Sequence, residues 1–252
     1  MIEVLILSLI QGITEFLPIS SSSHLILFSK LSSFQSQSLS LDVSLHIGSF
    51  LAVVTFFNKD LVKFIKNKDL FVKILISSIP VMILGFLLIQ TNLISELRNI
   101  KVIGWMTLFF GLLLYLSDKF NMYKNIETGF TYKSAIIIGF FQMISLIPGV
   151  SRSGITITAA RLLKFKRYDS AKISFLLSIP TLAAVSIFGI KNILSVDDIN
   201  ISFLNLIAII LSFVFSLITI KYFLQYIKRF SLDVFVIYRV ILGIIILAFA
   251  YL

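Results

Sequence analysis

Charged residues divide this chain into long runs that are uncharged or nearly so. A run of about 20 apolar residues is the length that crosses the roughly 30 Å hydrocarbon core of a bilayer as a helix. Only 13% of the residues are charged, whereas a soluble domain has roughly a quarter, so a water-soluble globule is excluded. Six runs predict spanning helices, with flanking residues completing the shorter ones: 43–58, 74–95, 102–117, 173–190, 199–220 and 234–252.

Two further apolar regions, 4–24 and 134–158, are built differently, because each contains a proline followed by a cluster of serines. Their arms are too short to span, since the arm 4–14 would be about 16 Å long as a helix, about half of the bilayer. Such segments can enter and leave on one side where protein or a watery cavity surrounds them. We therefore predict two re-entrant helical hairpins in an all-α polytopic membrane protein.

Positive charges are distributed unevenly between the predicted spans. If each hairpin returns to the side that it entered, one side receives fifteen of the lysines and arginines and the other side four. Cytoplasmic loops carry the excess of positive charge, so both termini are predicted to lie outside the cytoplasm. The net charge of +10 then reflects cationic loops near anionic lipid and no nucleic-acid partner. The positions that test this topology are Lys66, Lys124, Lys166 and Arg229, predicted inside, and Gln37 and Asp198, predicted outside.

The chain contains a related motif twice. QGITEFLPISSSSH at 11–24 is echoed by QMISLIPGVSRSG at 142–154, and the offset of about 130 residues also carries the first three spans onto the last three. Because three spans per half is an odd number, the halves would be inverted, and the hairpins would meet near the midplane, where inverted-repeat proteins place their sites. We predict one membrane domain, 1–252, with an inverted-topology repeat of about 1–120 and 131–252.

One acidic and one basic residue lie in the predicted hairpins, Glu15 in the first and Arg152 in the second. A charge at bilayer depth costs roughly 2.5–3.5 kcal/mol on the insertion scale, so we predict that the two lie close together. One interpretation is a structural ion pair that locks the hairpins. A functional site is favoured because hydroxyls surround both charges. The residues that follow the two tips are Ser20, Ser21, Ser22, Ser23 and His24, and Ser151, Ser153, Gly154, Thr156 and Thr158.

These groups together suit a phosphate anion. An arginine fork, serine hydroxyls and free amides at a helix N-terminus, opened by Gly154, bind phosphate, and Glu15 and His24 would add a base and an acid. A structural role is the alternative for His24. For His46, on the first span, a packing or hydrogen-bonded role stands beside a functional one.

Other polar residues in the apolar regions have simpler interpretations. Gln11 and Gln142 are predicted to form hydrogen bonds between helices, with a catalytic role as the alternative, and Arg239 is expected to form a charge pair or to contact lipid phosphate. The chain has no cysteine and two histidines, which excludes a disulfide scaffold, a thiolate metal site, a cysteine nucleophile and a His-rich metal site.

The two motifs, with E-F-L-P-I-S-S-S-x-H at 15–24 and P-G-V-S-R-S-G at 148–154, resemble the signatures of the undecaprenyl-diphosphate phosphatase family, which confers bacitracin resistance on bacteria. The resemblance extends over the chain and includes D-V-S-L-H-I-G-S at 42–49. It implies removal of one phosphate from the polyprenyl diphosphate carrier of peptidoglycan synthesis. It also implies a homodimeric, inverted-repeat enzyme in the bacterial inner membrane, in contact with membrane lipid.

The resemblance assigns roles to residues at the matching positions. It implies that Glu15 is the second motif glutamate, that Ser21 is the candidate nucleophile, and that His24 and Arg152 are the family's histidine and phosphate-binding arginine. The residues predicted to bind substrate are Gln11, Ser20, Ser22, Ser151, Ser153 and Gly154. Many relatives have glutamate at position 11 and glycine at position 23. The glutamine here counts against a two-carboxylate mechanism and a firmly held Mg²⁺ or Ca²⁺, so no cofactor is firmly predicted.

Two other functions would also use a phosphate site in a membrane. A type 2 phosphatidic-acid phosphatase needs a second histidine beyond its S-R motif, and no histidine follows His46. A transporter or flippase for a phosphorylated polyprenyl lipid stays open, because inverted repeats with broken helices are typical of transporters. Carrying an anion needs Arg152 and amides but no general base, so Glu15 and His24 favour hydrolysis.

Overall fold

The structure is a computed structural model that describes residues 1–31, 38–66, 68–91, 97–120, 122–194 and 199–252. Gln37 and Asp198, which the topology prediction uses, lie outside these residues. The helices of the first half are α1 (Ile2–Thr14), α2 (Ser21–Leu31), α3 (Leu39–Phe56), α4 (Asn58–Lys66), α5 (Lys68–Gln90) and α6 (Ile100–Asp118). Those of the second half are α7 (Ile126–Gly129), α8 (Tyr132–Ile144), α9 (Arg152–Leu162), α10 (Arg167–Leu194), α11 (Ile199–Ile227) and α12 (Asp233–Tyr251).

Six of these helices, α3, α5, α6, α10, α11 and α12, are long and apolar enough to cross a membrane. Their outer surfaces carry large exposed hydrophobic side chains, among them Phe86, Phe109, Phe188 and Phe249, which only a lipid environment accommodates at this density. The prediction of an all-α, multi-pass membrane protein with six spanning helices is therefore confirmed. The direction in which the helices cross stays a prediction.

The two halves pack against each other reciprocally. Helix α1 of the first half lies along α11 of the second, and α8 of the second half lies along α5 of the first. Both contacts are close: a Cβ atom added to Gly12 would lie 2.5 Å from Cβ of Phe215, and one added to Gly139 would lie 2.7 Å from the carbonyl oxygen of Ser77. In the centre α3 packs along α10 and α11, while α6 packs along α12. An inverted repeat would produce this exchange, and it stays a prediction.

Each motif folds into two short helices joined by a tip. The first tip (15–20) joins α1 to α2, and the second (145–151) joins α8 to α9. The last residue of each tip has a positive φ angle, 74° at Ser20 and 72° at Ser151. A serine rarely adopts this left-handed conformation, and strained residues of this kind cluster at functional sites. The four helices have 11 or 13 residues, too few to span, and their re-entrant placement stays a prediction.

Candidate active site

Glu15 is the centre of the site and its carboxylate is buried between the two tips. Arg152 Nη2 donates to Oε1 over 2.5 Å, while Ser21 Oγ and Gln11 Nε2 both donate to Oε2, over 2.8 and 3.0 Å. Glu15 and Arg152 are 137 positions apart in the chain, and their predicted proximity is confirmed.

Helix ends place these four side chains. Gln11 and Glu15 are one turn apart, so they share a face of α1 and its continuation. Ser21 is the first residue of α2, and Arg152 is the first residue of α9. Phe16, which follows Glu15 in the first tip, is fully buried and packs edge-on against Phe175 of α10, with 5.3 Å between the ring centres. This anchor fixes the first tip against the second half of the protein.

Several of the predicted phosphate-binding hydroxyls already form hydrogen bonds within the protein. Ser151 Oγ accepts from the Gly154 amide over 3.1 Å, and Ser153 Oγ donates to the Leu17 carbonyl oxygen over 2.7 Å. The Ser20 hydroxyl lies 2.9 Å from that of Ser23. Ser153 therefore joins α9 to the first tip, and Ser151 caps α9.

A cavity of about 750 Å³ opens onto the site. It has an apolar wall formed by Leu25, Val81, Leu182 and Val185. The predicted site residues that line its polar wall are Glu15, Ser20, Ser21, Ser22, Ser151 and Arg152. The predicted residues Gln11, His24, Ser153 and Gly154 are not among the residues that line the cavity.

His24 faces away from the carboxylate. Its Nδ1 lies 2.7 Å from the Ser20 carbonyl oxygen, and its Nε2 lies 2.5 Å from the hydroxyl of Tyr238, against whose ring it stacks. Both ring nitrogens are therefore engaged, and the ring holds the strained Ser20 peptide in place. The geometry gives His24 a positioning contact in the first tip and no direct contact with the cavity.

His46, for which the sequence left a packing role and a functional role open, lies at the site. It lines the cavity, and its Nδ1 lies 3.0 Å from Gln11 Nε2 and 3.9 Å from Glu15 Oε2. The available signal was its position in an apolar run, because an ionisable side chain inside a membrane is a candidate functional residue. Gln11 meets the prediction of a bond between helices, since it joins α1 to α3. Gln142 does not, because its buried amide has no hydrogen-bond partner.

The family model described as "Bacitracin resistance protein BacA" matches residues 4–245. This chain belongs to the BacA family. It is 50% identical to an undecaprenyl-diphosphatase of Pelagibacter ubique (strain HTCC1062), over 99% of this chain and 98% of the relative. It is also 42% identical to an undecaprenyl-diphosphatase of Chromohalobacter salexigens and 38% identical to one of Roseobacter denitrificans, over 97% or more of each chain. The family resemblance predicted from the sequence is confirmed.

Arg239 joins the two tips of this BacA-family chain from behind. It lies on α12, is fully buried, and donates to the carbonyl oxygens of Pro18, Gly149 and Val150 over 3.2, 2.8 and 3.0 Å. It also donates to the Thr107 carbonyl oxygen of α6 over 3.1 Å. The expectation of a charge pair or a lipid-phosphate contact is wrong, because the guanidinium instead donates hydrogen bonds to main-chain carbonyl oxygens of both tips.

The residues present do not form a cation site of the kind a Mg²⁺ or Ca²⁺ cofactor needs. Such ions take several oxygen ligands, but the described residues contain no cluster of three histidine, aspartate or glutamate side chains. The carboxylate of Glu15 is already bonded by Gln11, Ser21 and Arg152. We derive no step that uses a metal ion.

Proposed function

We propose that this protein hydrolyses undecaprenyl diphosphate to undecaprenyl phosphate and orthophosphate, which recycles the lipid carrier of peptidoglycan synthesis and confers bacitracin resistance. The relatives that match the full chain are named undecaprenyl-diphosphatase. The observation that carries the proposal is the contact of Glu15 with both Ser21 and Arg152 in one cavity. This set combines a base, a hydroxyl and a phosphate-binding cation.

Phosphoryl transfer depends mainly on positioning and on stabilising the charge of the transferred group. In the proposed reaction Arg152 binds the terminal phosphate, and Ser21 Oγ attacks its phosphorus atom while Glu15 accepts the hydroxyl proton. The bond from that phosphorus to the bridging oxygen breaks, and undecaprenyl phosphate leaves. Water then hydrolyses the phosphoserine and releases orthophosphate. The 2.8 Å contact between Ser21 and Glu15 is the geometry of a nucleophile and its base.

The apolar wall of the cavity suits the lipid part of the substrate. Val81 of α5 and Leu182 and Val185 of α10 lie on this wall and line the same cavity as the polar groups of the tips. We propose that the diphosphate binds at the tips and that the first isoprene units follow this wall. The expected assembly is a homodimer in membrane lipid.

The topology completes the proposal. We propose a single domain in the bacterial inner membrane, with an inverted repeat, two re-entrant hairpins and both termini outside the cytoplasm. The uneven loop charges and the reciprocal packing of α1 on α11 and α8 on α5 support it. The cavity at the first hairpin would then open outward.

The test is release of orthophosphate from undecaprenyl diphosphate by purified protein in detergent. Glu15→Gln should lower kcat by about 10²–10⁴, the range of a positioned acid–base group. Arg152→Lys should lose most activity, because an ammonium ion cannot reproduce the guanidinium fork. The matched controls are Glu127→Gln and Arg229→Lys, at exposed positions far from the tips, which should keep wild-type activity.

Detergent removes the membrane that a transporter would need. A wild-type protein that releases no phosphate, but moves the lipid across reconstituted vesicles, would replace the hydrolase proposal with the flippase alternative. Full activity in both Glu15→Gln and Arg152→Lys would contradict the proposed site.

A further inference from the structure

Gln11 connects Glu15 to His46 through a single amide nitrogen. Its Nε2 lies 3.0 Å from Glu15 Oε2 and 3.0 Å from His46 Nδ1. An ionised carboxylate only accepts hydrogen bonds, so the nitrogen of the amide must face Glu15. The same nitrogen has a second hydrogen, and that hydrogen points at His46 Nδ1.

This arrangement assigns the tautomer of His46. Nδ1 accepts the hydrogen bond from Gln11, so in the neutral ring the proton is on Nε2. His46 lines the cavity with 28% of its side chain exposed. Because Nδ1 is engaged by Gln11, Nε2 is the ring nitrogen that remains to meet a molecule in the cavity.

From this geometry we infer that His46 binds the substrate: its Nε2–H group donates a hydrogen bond to a non-bridging oxygen of the terminal phosphate, and Gln11 is the positioning residue that keeps the proton on Nε2. This inference rests on the proposed function and adds a residue to its site. No proton is transferred and no covalent bond changes at His46.

A donor at this place would add to those that Arg152 can offer the phosphate. Of the five N–H groups of the guanidinium, one on Nη2 donates to Glu15 and one on Nη1 donates to the Ser174 carbonyl oxygen over 3.3 Å. A neutral imidazole adds a hydrogen bond without adding charge beside this ion pair. The other charged groups that line the cavity are Asp42 of α3 and Arg98.

Two substitutions test the contact in the phosphate-release assay. His46→Leu removes the donor and should lower kcat/KM about 10- to 100-fold, the range for a hydrogen bond to a charged group. His46→Gln places an amide N–H near the position of Nε2 and should stay within a few-fold of wild type. Thr55→Val, at an exposed position of the same helix, is the control and should change nothing.

A spectroscopic measurement tests the tautomer independently of activity. The chain has only two histidines, so ¹⁵N-histidine labelling gives two ring systems, and His46→Gln identifies the one that belongs to His46. The inference requires a proton-free Nδ1 and a protonated Nε2 in the wild type. In Gln11→Met the ring should shift toward a mixture of tautomers.

The outcomes separate this inference from the proposed function. Wild-type kcat/KM in His46→Leu overturns it, and so does a loss in His46→Gln as large as that in His46→Leu, or a ring protonated on Nδ1. If Glu15→Gln and Arg152→Lys are inactive while His46→Leu is fully active, only the role of His46 fails. If those two variants are active, the whole proposed site fails.

Discussion

Replacing Arg239 with lysine tests whether this buried arginine holds the two tips together. In the wild type one guanidinium nitrogen donates hydrogen bonds to the carbonyl oxygens of Pro18 and Val150, and a second donates to the carbonyl oxygen of Gly149. These three residues lie outside helices, so no helical N–H is available to replace the arginine. Lysine keeps the positive charge but has one nitrogen at the end of its chain.

The structure sets the size of the expected effect. A single ammonium group cannot occupy both nitrogen positions, so at least one tip carbonyl loses its donor. An unsatisfied buried polar group costs about 1–3 kcal/mol, and that is the expected loss in the free energy of unfolding. A displaced tip also moves Ser21 relative to Arg152, and a misplacement of about 1 Å can lower turnover about 100-fold.

The assay is thermal unfolding in detergent together with kcat, measured well below the unfolding temperature. Arg239→Lys should show a lower Tm and a kcat reduced about 10- to 100-fold, while Arg229→Lys, at an exposed position, should match the wild type in both. A lower Tm with unchanged kcat would refute the positioning of the tips. An unchanged Tm would refute the expected loss in the free energy of unfolding.

Three further predictions concern the nucleophile, the glutamine and the topology. Ser21→Ala should reduce phosphate release at least as much as Glu15→Gln, whereas a water nucleophile would leave substantial turnover in a single-turnover assay. Gln11→Glu should stay within a few-fold of wild type in kcat, because the family resemblance implies that many relatives have glutamate at this position; a loss of more than about 10-fold would contradict this. Single cysteines labelled on intact cells with an impermeant reagent should react at the predicted outward positions and not at the predicted inward ones, and the reverse pattern would invert the topology. The inward positions are Lys66, Lys124, Lys166 and Arg229, and the outward positions are Gln37 and Asp198.

The spanning helices could be predicted because the bilayer fixes their length and composition. All six predicted runs are extended in the structure by polar or charged residues at one or both ends, as in α10, which begins at Arg167 although its uncharged run begins at Ile173. Charged residues at helix ends reach the interface, so they mark the limit of the apolar run and not the end of the helix. The proximity of Glu15 and Arg152 was predictable for a related reason, since each charge needs a partner at that depth.

Residues whose partners lie on other helices were harder to place. The acid role of His24 is predicted from its place after the serines and stays a prediction, while the direction of its ring is set by the Ser20 carbonyl oxygen and by Tyr238 of α12. His46 contacts Gln11 only because α1 and α3 pack together. The carbonyl acceptors of Arg239 belong to the main chain, so no pattern of side chains identifies them.

The two tips share a backbone but differ in chemistry. Positions 131 apart in the sequence correspond, and Ser20 and Ser151 have the same left-handed conformation. At the next position the first tip has Ser21 where the second has Arg152, and the second has Leu146 where the first has Glu15. Two carboxylates or two arginines facing each other here would repel at bilayer depth. An acid in one motif and a cation in the other avoids this repulsion, and it places a base in direct contact with an anion-binding group in one cavity.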